Sequence, residues 1–218
     1  MLLIFGSMVA SGVLFTVQEK YIVSPTIYNV LRTIRMGVIY GAIPIWFSRK
    51  YGGSPCDLGL CLPKSKGNFG ISLFGGLMIY QIAAIVFLAK KIFFNGWLAF
   101  TSEEVVINLV LIGIMASLTD FWTRGFILMQ FSDHYGKRWG IIIQNMSWFT
   151  IHIYEVQLLQ YYMGLWGAIA LTLILGIGGD LVALKTRNLY GLMLGHFVLN
   201  IQIAMAARGL LVSYTILI

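Results

Sequence analysis

Long apolar runs separated by short polar stretches dominate this chain. Bounded by charges and by Gly or Pro, they lie near Leu2–Val17, Ile27–Phe47, Phe69–Ala89, Val105–Phe131, Ile141–Tyr154, Tyr161–Gly179 and Leu189–Ala207. A hydrocarbon core about 30 Å thick requires about 20 mostly apolar residues per crossing, so the pattern predicts an all-α, polytopic transmembrane bundle of about 6–8 helices. The fifth run is too short to cross alone. Residues 155–160 extend it only if that stretch faces protein or water rather than lipid. The opening run has no basic region before it and no clear small-residue cleavage site behind it, so it reads as a spanning helix rather than a leader. The tail, 209–218, reads as half a helix. Residues 1–218 are expected to form a single transmembrane domain.

Composition supports this. The chain is 59% hydrophobic and 11% charged, where an ordinary soluble domain carries roughly 25% charged residues. Its formal charge of +7 comes from scattered basic pairs between apolar runs, not from a stripe on one face, which argues against a nucleic-acid partner and for membrane orientation. Alternating the runs places Arg49, Lys50, Lys64, Lys66, Lys137, Arg138, Lys185 and Arg187 on one side. Lys20, Lys90, Lys91 and Arg208 fall on the other. The loops around 49–68, 132–140 and 180–188 are therefore expected to be cytoplasmic. Arg32 and Arg35, within or beside the second run, either weaken that assignment or face the bundle interior. Cys56 and Cys61 give only a weak metal or disulfide signal and are expected to be free thiols.

Ionisable groups inside a membrane are costly, so a span that keeps them is a candidate site. The fourth run carries Thr119, Asp120 and Arg124, the fifth leads to His152 and Glu155, and the last carries His196 and Asn200. Asp120 with Arg124, and His196 with Asn200, are four apart and share a helical face. A carboxylate and an imidazole can activate water, while a second imidazole and an amide can donate to a developing oxyanion. The same residues also suit interhelical hydrogen bonding or a proton relay.

Order and spacing carry a more specific signal. Thr119-Asp120-x-x-x-Arg124-Gly125, then Trp148-x-x-x-His152, then His196-x-x-x-Asn200 resembles the CPBP family of intramembrane proteases, which includes the type II CAAX prenyl endopeptidases. That family's pattern is Glu-Glu-x-x-x-Arg, Phe-x-x-x-His and His-x-x-x-(Asn or Asp) on separate membrane helices. The resemblance is sharp from Thr119 to Asn200 and places the candidate catalytic core at 104–208. It implies an intramembrane endopeptidase acting near the membrane surface on prenylated or other short C-terminal peptides, with membrane lipid and peptide as partners. His152 would work with the acidic motif to activate water, His196 and Asn200 would stabilise the oxyanion, and Arg124 would hold the acidic pair. The family name leaves a zinc ion open; His152 and His196 would be its ligands.

One departure matters. Thr119 stands where the family has the glutamate assigned as general base, and a threonine hydroxyl has no useful basicity near neutral pH. Three readings follow. Asp120 takes over, although its side chain points about 100° away around the helix. Alternatively Glu155, three residues after His152, supplies a substitute carboxylate, against the plainer view that it merely ends a span. In the third, the chain is a catalytically impaired pseudoprotease, a membrane interaction or immunity protein. A transporter or channel is a further alternative, though no paired inverted repeats argue for it. Glu103–Glu104 reads as a solvated helix start, Asp133 and His134 as a solvated turn. The aromatic clusters at Trp46, Trp97 and Tyr161 read as interfacial belts, and Gly75–Gly76 and 176–179 as close helix contacts.

Overall fold

The computed structural model describes residues 24–63, 65–90 and 105–216. The predicted span Leu2–Val17, and Lys20, Lys64, Lys91, Trp97, Glu103 and Glu104, lie outside them. The described chain is helical. Helix α1 (Pro25–Met36) starts where the Ser24 side chain accepts from the Ile27 amide and Pro25 fills the first turn, where its missing N–H costs nothing. It continues through a π-helical turn, Gly37–Ala42, into α2 (Ile43–Lys50). Helix α3 is Lys66–Lys90, and α4 (Val105–Asp120) passes through a second π-helical stretch, Phe121–Leu128, into α5 (Met129–Tyr135). Helices α6 (Lys137–Ile151), α7 (Ile153–Thr186) and α8 (Tyr190–Ile216) complete the bundle.

Among the described residues, Thr26–Lys50, Lys66–Lys90, Val106–Tyr135 and Ile153–Thr186 are long and apolar enough to cross a membrane, and Tyr190–Ile203 is a shorter apolar helix. The predicted fifth run is α6, and residues 155–160 do not extend it. His152 leaves helical geometry (φ −104, ψ 15), and a second break comes at Gly164 (φ 74, ψ 162), a conformation glycine adopts without a Cβ penalty. The chain then returns along α6: the Trp148 indole N–H donates to the Thr172 carbonyl at 3.2 Å, and the Asn145 amide to Asp180 at 2.7 Å. The 209–218 tail continues α8 as far as Ile216.

Helices α3 and α8 touch backbone to backbone. A Cβ on Gly191 would overlap the Ser72 carbonyl, and one on Gly76 would overlap the Gly191 backbone. Small residues permit this close approach, the usual basis of helix association in lipid, where burial of apolar surface supplies little drive. His196, one turn beyond, is thereby brought against Tyr80.

The three predicted loops share one end of the bundle. Arg187 makes a two-point ion pair with Asp133 at 2.9 and 2.7 Å, the Leu189 amide donates to the Gly59 carbonyl at 3.0 Å, and the Tyr190 hydroxyl reaches the Leu60 carbonyl. Asp133 and His134 belong to the last turn of α5, which stops at Gly136 (φ 87). The cysteines are not free: Cys56 and Cys61 form a disulfide. The Asp57 carboxylate accepts from the Ser54 amide and hydroxyl, which holds it below the usual carboxylate range, and Gly59 turns at φ 75. These turns bring the two Cα atoms to 4.7 Å, inside bridging distance. Spacing alone misses this because it does not encode the turn.

Candidate active site

The site lies inside the bundle, away from the loop end. Asp133 stands thirteen residues further along this helix than Asp120, well over two turns away. Asp120, at the last position of α4, is fully buried. Its carboxylate accepts from the Tyr80 hydroxyl at 2.7 and 2.8 Å, from the Arg124 guanidinium one turn on, and from His196 Nδ1 at 3.2 Å. Tyr80 also stacks on the His196 ring, with centroids 4.5 Å apart and planes within 9°.

Arg124, also fully buried, points the other way as well. It donates to the Leu175 and Gly176 carbonyls, stands 3.4 Å from Asp180 and lies over the Trp148 ring, 4.4 Å from its centroid. Gly176 and Gly179 make this possible, since a Cβ at Gly176 would overlap Asn145 and one at Gly179 would overlap the guanidinium. Arg124 is thus clamped between two buried carboxylates. A buried charge persists only when paired in this way.

His152 stands at the break between α6 and α7. Its Nδ1 lies 2.9 Å from the Trp148 carbonyl, its ring 4.0 Å from the Trp148 ring and 6.2 Å from the His196 ring, centroid to centroid. A carbonyl can only accept, so Nδ1 carries the proton and Nε2 is left as a basic lone pair. Glu155, half-buried, acts electrostatically on His152, and its Oε2 is buried with no hydrogen-bond partner among the described residues.

The sequence-predicted residues therefore fall into two groups. Asp120 is bonded directly to Arg124 and to His196, and the His152 ring stands 6.2 Å from the His196 ring with Glu155 acting on it. The hydroxyl of Thr119 is turned back to the Met115 carbonyl at 3.0 Å, and the amide nitrogen of Asn200 to the His196 carbonyl at 2.9 Å. Tyr80, Asn145 and Asp180 are additional. Asp180 had a signal in the sequence, since an acid within GIGGDLVAL is an ionisable group in an apolar run. Tyr80 and Asn145 had none.

Among the described residues no three of His, Cys, Asp and Glu gather as metal ligands. Both oxygens of Asp120 are already engaged by Tyr80, Arg124 and His196, which leaves two imidazoles where a catalytic zinc needs three protein ligands. The residues present do not fit a zinc site of that kind, and no step below is routed through a metal.

No curated protein and no solved structure matches the chain. The family model for "Type II CAAX prenyl endopeptidase Rce1-like" matches residues 86–202, more than half of the chain and inclusive of all three motifs. The chain therefore belongs to the Rce1-like family of type II CAAX prenyl endopeptidases, a family of membrane proteases.

Proposed function

We propose that this protein is an intramembrane endopeptidase that hydrolyses a peptide bond near the membrane surface, in prenylated or other short C-terminal peptides. The observation that carries the reading is the pairing of two imidazoles in complementary roles, His196 held by Asp120 and His152 held by a carbonyl. In this mechanism His152 Nε2 takes a proton from water as its oxygen bonds to the scissile carbonyl carbon. Glu155 steadies the imidazolium that forms. The oxyanion accepts from His196, whose imidazolium is held by the Asp120 carboxylate. To donate from Nε2 while its Nδ1–H faces Asp120, His196 must carry both protons, and the Asp120 carboxylate is the group that balances the added charge. Collapse breaks the C–N bond, and His152 returns its proton to the leaving amine. Asn200 joins as an oxyanion donor by rotating from its own helix.

A second reading, a noncatalytic scaffold for interaction or immunity, draws on the Thr119 hydroxyl bonded back to Met115 and on the lack of a carboxylate bonded to His152 among the described residues. Incubating purified protein with a peptide library that includes farnesylated CAAX peptides separates the two. Turnover by the wild type supports the peptidase; a silent wild type with turnover gained by Thr119→Glu supports the scaffold.

A further inference from the structure

The seam between α6 and the π-helical stretch with α5 holds buried polar atoms without protein partners. Gln144 is fully buried, and neither its amide nitrogen nor its amide oxygen has a hydrogen-bond partner among the described residues. Leaving an amide unsatisfied in an apolar setting forfeits its hydrogen bonds to water with no return, and native structures seldom tolerate it. Gln144 is not isolated. Ser132 Oγ, Asn145 Oδ1, Asp180 Oδ1 and Arg124 Nε are likewise buried without hydrogen-bond partners, although the last two stand as an ion pair at 3.4 Å.

These atoms are ordered along the bundle. Gly140, Gln144, Trp148 and His152 recur every four residues on one stripe of α6 and its end. At the loop end, Ser132 occupies the space a Cβ on Gly140 would take. Further in, Trp148 covers Arg124, and at the inner end stands His152. Gln144 lies midway between the solvated loop end and the Asp120–His196 pair. Buried sites that hold water are polar and give each molecule about three hydrogen bonds. A glutamine amide, a serine hydroxyl and the Asn145 amide oxygen, which adjoins the Arg124–Asp180 ion pair through the Asn145 bond to Asp180, are partners of that kind.

We propose that this seam is an internal water-binding site centred on Gln144, joining the loop end of the bundle to the Asp120–His196 pair. It supplies water from the side opposite the lipid through which a membrane-borne peptide arrives, so that a seated substrate does not dry the site. The supply role rests on the peptidase reading; the hydration itself does not. The test is millisecond radiolytic labelling of the full-length protein in detergent and H2(18)O, which marks side chains next to bound water and needs no turnover. Trp148 is the reporter, being 1% exposed. The expected result is labelling of Trp148 in the wild type and its loss in Gln144→Met, which keeps the volume and removes the polar atoms. Ser132→Ala removes the outermost anchor without adding bulk and gives a partial loss, which keeps the test decisive if the first variant misfolds. An unlabelled Trp148 in the wild type overturns the proposal. So does labelling unchanged by both variants, which would trace to water reaching Trp148 from the His152 side instead. Labelling that behaves as expected in a protein without peptidase activity keeps the water site and contradicts only its supply role.

Discussion

His196 Nδ1 lies 3.2 Å from Asp120 Oδ2, a contact between residues 76 apart in the chain that ties the last helix to the middle of α4 and its π-helical continuation. The bond holds the imidazole by Nδ1, with its ring 6.2 Å from that of His152. Tyr80 adds a second hold, stacking on the ring while donating to the same carboxylate. Tyr80→Phe keeps the stack and removes the donor. It is expected to lower stability by about 1.5–3 kcal/mol, the range for a hydrogen bond to a charged group, as read by denaturant unfolding in detergent.

Arg124 separates two buried acids, and its loss leaves Asp180 without a cation and Asp120 with His196 alone. Arg124→Met is therefore expected to cost about 3–5 kcal/mol. Asp180→Asn preserves the shape and the contact with Asn145 and is expected to cost less. Equal melting temperatures for Arg124→Met and the wild type would show that the clamp is not structural.

The α3–α8 contact depends on Gly191, where even a methyl group meets the Ser72 carbonyl. Gly191→Ala is expected to destabilise by about 1–3 kcal/mol, as overpacking does in a tight interface. It should also reduce activity by shifting His196. A thermal scan of the purified variant checks the first effect.

Glu155 is the carboxylate nearest in role to the one that Thr119 lacks. Glu155→Gln leaves the His152 base without the carboxylate that steadies its imidazolium and is expected to lower kcat by about 100-fold, the order of losing one preorganised electrostatic group, with KM unchanged. Adding Thr119→Glu to that variant should restore part of the rate. A Glu155→Gln enzyme with full kcat would assign Glu155 to the end of a span.

The apolar runs and the three motifs were legible because they depend on local spacing, and the residues they mark, Asp120, Arg124, His152 and His196, converge. What was not legible depends on partners far along the chain. Tyr80 reads as one more aromatic residue in an apolar helix until Asp120 is placed opposite it. Asp180 carries the signal of an acid beside an apolar run, but its place inside the bundle depends on α7 running on to Thr186, past the point where Lys185 suggests a loop. The π-helical stretch after Asp120 and the breaks at His152 and Gly164 carry no periodic signature. The Cys56–Cys61 bridge follows from turns at Asp57 and Gly59 that a spacing rule does not contain.

The most direct test of the central claim is cleavage of a farnesylated C-terminal peptide by purified wild-type protein and by His196→Ala, followed by mass spectrometry. The account predicts a discrete cleavage product from the wild type and a rate about 10²–10³-fold lower from the variant, the cost of removing one oxyanion donor. A variant that cleaves at the wild-type rate would contradict it.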